Sequence, residues 1–257
     1  MYATDPDESI VPIFSKAKYT DTLHQIGTGI FCEFEGILFL ITAAHVTDNL
    51  ENGELLVPTN IGIAAIEGYV AYIDLPPEIR RQDDEVDIAY FRISTRFARN
   101  LAAVFKPLSN SRSMLIGTAL DLEICSICGF PVSRAKKKQG RYTSESAAYR
   151  GVAAREETYE KLGLSPELNI IIHFHKKFTV RPADGQKTNP IGPRGVSGGG
   201  IFSWPEGQGL SNDWSLPKLV GIFHTYKESD GLMIGTNLLS IISAIQLGKI
   251  KNFGDVD

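Results

Sequence analysis

The chain has 257 residues, 43% hydrophobic and 22% charged, which is enough for one large domain or two small ones around a sizeable core. A formal net charge of -4 gives no overall electrostatic basis for nucleic acid or membrane as a partner. The opening MYATDPDESIVPIFS lacks the basic start and apolar run of a secretory signal, and no stretch approaches the length of a bilayer span, so a cytoplasmic location is expected.

Most apolar segments are short and punctuated by turn residues, the pattern of β structure. Strands are expected in IGTGIFCEF, GILFLITAA, ELLVPT, IGIAAIEGYVAYI and VDIAYFRI, all before residue 95. RFARNLAAVFKPLSNSRS ends in polar, turn-forming residues and reads as a connector. A second set follows in LEICSICGF, LNIIIHFHKKF, GGIFSW, KLVGIFHTY and GLMIGTN. Between the first two of these, residues 133–161 are polar and read mainly as a surface insertion, with patches such as REETYEKL suited to a helix. At the end, Leu238, Ile241, Ile242 and Ile245 share one helical face. Thr236 or Asn237 suits its start, and Gly248, Lys249 and Lys251 its end. The chain therefore divides into two β units, 1–105 and 106–257, each the size of a small barrel or sandwich.

Three stretches are informative together. LITAAHV places His45 after an apolar strand, EVDIAYFRI opens another with Asp87, and GVSGG sets Ser197 among glycines. A serine hydroxyl is a poor nucleophile at neutral pH and needs a base, and the base needs an orienting carboxylate. His, Asp and Ser supply those roles in that chain order. Each also has a structural reading: a histidine beside a strand, an aspartate in a turn, a flexible Gly-Ser loop. Taken in order, they favour the catalytic one.

The same blocks resemble the chymotrypsin- or trypsin-like serine peptidases. TAAHV is similar to the family's Thr-Ala-Ala-His block, VDIAYFRI to Asp-Ile-Ala-Leu, and GVSGGG to Gly-Asp-Ser-Gly-Gly. KLVGIFHTY resembles the Leu-Val-Gly-Ile strand and GLMIGTNLLSIISAI the last strand and terminal helix, so the likeness runs from about 26 to 247 with 131–166 unmatched. The resemblance implies an all-β fold of two six-stranded antiparallel Greek-key barrels and a C-terminal helix. The first barrel carries His45 and Asp87, the second Ser197. It also implies a serine endopeptidase acting on protein or peptide, with no metal or organic cofactor and an oxyanion hole from the Gly195 and Ser197 amides. Loss of one such donor typically costs about 3 kcal/mol of transition-state stabilisation.

The pattern departs from the family in places. Val196 stands where digestive members carry an Asp that pairs with a new N-terminus, and no Ile-Val-Gly-Gly activation site lies near the start. The chain is thus expected to be active as made or set by a regulatory protein partner. Val46 replaces a cysteine found in many secreted members, in keeping with a bacterial-type or viral-type intracellular branch. Ile191, six residues before Ser197, replaces the Asp that binds basic side chains in trypsin. Among substrate-binding candidates, His224 could brace Asp87, contact an acidic side chain or pack, the first and last being favoured; Thr225 and Tyr226 continue the substrate-pairing strand.

Other features have plainer readings. The run Arg134-Ala-Lys-Lys-Lys138 reads as a solvated loop. Cys125-Ser-Ile-Cys128 lacks a second pair for zinc, and three cysteines including Cys32 fit a reducing compartment. His173 and His175 fall on one strand face without a third ligand nearby. Gly195-Val-Ser-Gly-Gly199 also matches the G-x-S-x-G of α/β-hydrolases, but GGIFSW reads as a strand where that fold needs a helix. A catalytically silent relative, serving as a peptide- or protein-binding module, is the alternative function.

Overall fold

In a computed structural model of the protein, the described residues are 1–17, 22–51, 53–72, 75, 78–138, 141–176 and 190–246. The first β unit is a curled sheet of seven antiparallel strands. These are β1 (Ile10–Ala17), β2 (Leu23–Phe34), β3 (Ile37–Ala43), β4 (Gly53–Thr59), β5 (Gly62–Ala65), β6 (Gly68–Tyr72) and β7 (Ile88–Ile93), in the order β5-β4-β1-β2-β3-β7-β6. The second unit is a closed six-stranded barrel of β8 (Ile124–Gly129), β11 (Ala147–Ala153), β12 (Asn169–His173), β13 (Gly200–Ser203), β14 (Lys218–Lys227) and β15 (Leu232–Asn237). A separate hairpin, β9 (Lys136–Lys138) with β10 (Arg141–Thr143), stands outside both. The helices are α1 (Ala44–Thr47), α2 (Thr95–Ala102), α3 (Glu156–Leu162) and α4 (Leu238–Gln246).

The first unit is a half-barrel with a strand more than expected. The single stretch IGIAAIEGYVAYI divides at Ile66-Glu67 into β5 and β6, which pair with β4 and β7 at opposite ends of the sheet. The additional strand is β1, whose IVPIF is apolar without alternation because both faces are covered. Val11 and Ile13 enter the core inside the curl with Phe31, Leu40, Val57 and Phe91. Ile10 faces the other way, into a core shared with the barrel: Cys32, Ile41, Cys128, Phe202, Leu219 and Ile222. A strand buried on both sides reads as a continuous apolar run.

Two further segments differ from expectation. The polar stretch 133–161 contributes β11, which closes the barrel between β8 and β12. Its polarity follows from its outer face. Arg150 there donates to the carbonyls of Gly209 and Ser211 and lies 4.2 Å over the Trp204 ring, while Tyr149 and Ala153 point inward. The helix read in REETYEKL is present as α3, ended by Gly163 in the left-handed region at φ 68°. The connector contains α2, where Ser94 caps the Phe97 amide and Phe97, Ala98 and Leu101 are buried. The terminal helix is present as α4, with Leu238 and Ile241 in the shared core; the Ile245 side chain and Gly248, Lys249 and Lys251 lie outside the described residues. No helix among the described residues is long and apolar enough to cross a membrane.

Candidate active site

His45 and Asp87 meet because β3 and β7 run antiparallel. The pair Ala43↔Ile88 places the residue after one strand beside the residue before the other. The Ala44 amide donates to the Asp87 carbonyl (3.0 Å) and the His45 amide to Asp87 Oδ1 (2.9 Å). Asp87 Oδ2 lies 2.6 Å from His45 Nδ1, so Nδ1 carries the proton and Nε2 is left to accept one. To turn both oxygens onto His45, Asp87 takes φ of +32°, a conformation uncommon outside glycine. Its carboxylate is buried, while about a third of the imidazole surface is exposed. A strained, buried carboxylate holding a half-exposed histidine is an arrangement expected of a functional site.

Ser197 comes from the opposite unit, in the turns before β13. Its carbonyl accepts from the Thr28 amide on β2 (2.8 Å), and the Gly198 amide donates to Phe223 on β14 (2.7 Å). Gly198 has φ of +87°, and a Cβ there would fall 2.0 Å from the Thr28 oxygen and 2.2 Å from Thr42 Oγ1. No other residue lets this loop rest on the middle of β2 and the end of β3, directly before His45. Gly195 has φ of +91° and packs against Val132. Amides of Val196, Gly198 and Gly199 are all spent on backbone carbonyls. Those of Gly195 and Ser197 have no partner among the described residues. Ser197 Oγ donates to the His224 carbonyl (3.1 Å), and no hydrogen bond joins it to His45 in this state.

Thr28 was not singled out by the sequence reading. It is fully buried, its hydroxyl accepts from the Phe130 amide (2.9 Å) and donates to the Gly195 carbonyl (3.0 Å), and its carbonyl accepts from Thr42 Oγ1. One side chain thereby ties β2, the end of β8 and the serine loop. The available signal was Gly27-Thr28-Gly29, a polar residue between glycines inside a strand, where a close backbone approach is the usual cause.

No model of a protein family matches the chain, and no curated protein matches it. Among solved structures, it is similar to a thermostable serine protease, AL20, from an extremophilic microorganism: TM-score 0.51 and 15% identity, with 90% of this chain and 92% of that one covered. The chain has the chymotrypsin-like serine protease fold. It also aligns with the serine protease domain of Sesbania mosaic virus polyprotein, at TM-score 0.49 and 17% identity over 92% and 91% of the two chains. Tobacco etch virus protease aligns at TM-score 0.49 and 12% identity over 96% and 82%.

Within this chymotrypsin-like frame, the candidate specificity residues separate. Ile191 lines a cavity of about 300 Å³ with Asp7, Arg134, Ser146, Tyr149 and Trp214, to which His45, Asp87 and Ser197 contribute nothing. His224 sits at a bulge between Phe223 and Thr225 that interrupts the β14–β15 register. Its ring is buried, with Nδ1 2.9 Å from Thr225 Oγ1 and Nε2 unpartnered among the described residues. Burial holds its pKa down at about 4, with Asp87 pulling upward and His45 downward. Thr225 is thus turned to His224, and the Tyr226 ring meets Phe174 edge-on at 6.3 Å. Val196 is fully buried in the barrel core, so an apolar anchor holds the residue before Ser197.

The remaining motif residues are distributed differently from expectation. His173 ends β12, the buried Phe174 follows, and His175 lies beyond the strand with its ring against Gly231. Burial, aided by His175, lowers the His173 pKa. The described residues hold no group of three metal-ligating side chains. Cys32, Cys125 and Cys128 are buried free thiols, and burial pushes Cys125 up to about 12, which makes it a packing residue rather than a nucleophile.

Proposed function

We propose that the chain is a serine endopeptidase in which Ser197 is the nucleophile, His45 the base and then the acid, and Asp87 the orienting carboxylate. The observation that carries this reading is the Asp87–His45 pair, held twice over, facing a serine loop whose Gly195 and Ser197 amides are unspent. To react, the Ser197 hydroxyl leaves the His224 carbonyl and turns to His45 Nε2. As Oγ attacks the peptide carbonyl, its proton passes to Nε2, and Asp87 stabilises the imidazolium. The carbonyl oxygen becomes negative between the two amides. Collapse breaks the C–N bond, and the leaving amine takes the proton from Nε2. Water then attacks the acyl-enzyme by the same route, returning the hydroxyl to Ser197.

Among the described residues, one edge of β14 has no strand partner past Phe223, and it supplies a place for the acyl side of the substrate. β13 pairs with β14 only as far as Ile222, whereas β15 follows it to Lys227. Beyond Phe223 one edge therefore faces the serine loop, and a peptide can add to it as a further strand. The division into units near residue 105 and a reducing, cytoplasm-like compartment belong to the same reading; the three free thiols support the latter. The test is labelling by a fluorophosphonate together with cleavage of a peptide library. Wild type is expected to label at Ser197 and cleave, and Ser197→Ala to do neither. A wild-type protein that binds peptides but resists the probe would overturn the reading.

A further inference from the structure

Ser197 lies between two flanks, and only the β14 flank has been used so far. On the other, Val132 packs against Gly195, and its amide donates to the Arg194 carbonyl (2.8 Å). From there the chain passes through Arg134 into the β9–β10 hairpin. The hairpin is seated on the first sheet: Tyr142 meets the Phe14 ring edge-on at 5.9 Å, and its hydroxyl accepts from the Leu23 amide. Gln25 bridges the two sides, donating to the Phe130 carbonyl and accepting from Ser144 Oγ, both at 2.6 Å. β3 pairs with β2 only from Ile30 onward, so the stretch from Leu23 to Gly29 has no strand partner on that edge among the described residues. Ser197 docks at one end of this edge, on Thr28, and the hairpin stands at the other.

The hairpin segment is strongly basic in a chain that is acidic overall. Residues 131–146 contain Arg134, Lys136, Lys137, Lys138 and Arg141 against Glu145 alone. Arg194, in the serine loop, and Lys136 are exposed, and Asp7, in the turn before β1, lies beside Arg134 and Ser146. Arg134 is held by the Ser146 carbonyl. From Thr28 back to Leu23 a strand covers about 16 Å, the span of about five extended residues. A peptide leaving Ser197 along this edge would therefore reach the basic hairpin within that many residues.

We infer that the leaving-group side of the cleft selects substrates with acidic side chains in the few residues after the scissile bond, recognised by the unpaired edge of β2 and the basic hairpin. The inference rests on the peptidase reading above. Several positive charges acting together, the exposed Lys136 and Arg194 among them, predict about a tenfold preference in kcat/KM at low salt, fading as salt screens them.

The test uses two peptides identical up to the scissile bond, with Asp and Glu or with Asn and Gln at the second to fourth positions after it. Wild type should prefer the acidic peptide about tenfold at low salt, with the ratio falling toward unity as salt is raised. In Lys136→Gln/Lys137→Gln/Lys138→Gln, the ratio should collapse at low salt as well. Equal cleavage of both peptides by wild type, or a ratio that ignores salt, overturns the inference even if the triple variant fails to fold. Fluorophosphonate labelling of wild-type Ser197 reads the peptidase itself. Labelling without acidic preference removes this inference alone, whereas no labelling removes both. A hairpin-dependent affinity for a labelled oligonucleotide, with a peptide ratio of one, would reassign the lysines and overturn it too.

Discussion

His224 gives a stability that depends on pH in a direction opposite to that of a solvent-paired histidine. The β14 bulge turns its ring inward beside Asp87 and His45, where it is 6% exposed and Nε2 lacks a partner among the described residues. Burial holds its pKa at about 4, against 6.5 for an ordinary histidine. The unfolded chain thus takes up a proton near 6.5, while the folded chain resists until about 4. Between those values the unfolded state binds more protons, so stability is full above 6.5 and is lost as pH falls toward 4. The gap corresponds to about 3 kcal/mol. His173, also lowered by burial, adds to the same trend, and Glu8, held at about 2 by Lys106, acts at lower pH. The measurement is therefore a difference. Urea unfolding of wild type and His224→Gln should be followed at intervals from about pH 8 to about pH 4. The glutamine keeps an amide able to bond Thr225 but does not titrate. Wild type should lose up to about 3 kcal/mol more than the variant across that window. Parallel stability curves would refute the argument, since they would mean that His224 is hydrated or paired in the folded state.

Asp87→Asn should preserve the fold but lower kcat by about three to four orders of magnitude, because an amide no longer fixes Nδ1 as the protonated nitrogen; steady-state cleavage and the rate of fluorophosphonate labelling read this. Gly198→Ala should cost at least about 2 kcal/mol in thermal or urea unfolding and suppress activity, since its Cβ would overlap the Thr28 carbonyl at positive φ. Thr28→Val leaves the Phe130 amide and the Gly195 carbonyl without their buried partner. A loss of about 2–4 kcal/mol in urea unfolding is expected, with weaker labelling of Ser197 as the loop loses its tether. Unchanged labelling in Thr28→Val would show that the loop is held by Gly198 alone.

Much of this was legible in the sequence where local chemistry and tertiary role coincide. TAAHV and VDIAYFRI give their strands away by continuous apolar runs, and the antiparallel pairing of those strands suffices to bring His45 to Asp87. Ser197 was marked by glycines that serve backbone approach rather than a linker. Strands whose faces serve different partners were harder to read. β1 is missing from the expected strands because both its faces are buried and its run does not alternate, and β11 reads as part of a surface insertion because Arg150 needs a polar outer surface to reach the two tryptophans. At Thr28 the flanking glycines signal a close backbone approach but not its partners, which converge on it from distant parts of the chain. The same holds for the bulge at His224: KLVGIFHTY reads as one continuous apolar strand, and the extra residue appears only against β15.

The placement of the site makes its assembly a property of the seam. Asp87 and His45 both come from the first sheet, with the preceding Glu85 and Val86 carbonyls accepting from Asn169 Nδ2 and Thr236 Oγ1 of the barrel, while the Ser197 loop lies on Thr28 and Thr42. Each tether at that contact is short and buried: the Thr28 amide to the Ser197 carbonyl, the Thr28 hydroxyl to Gly195, and the Gly198 backbone against Thr42 and Ala43. Where a trypsin-type zymogen would anchor the residue before the serine with an ion pair, this loop buries the Val196 side chain in the barrel core. An apolar anchor of this kind forms when the barrel folds and requires no new chain end. Loop shape and sheet docking then become one equilibrium: a variant that loosens the seam should lower activity before it lowers global stability, because opening the contact exposes far less surface than unfolding either β unit.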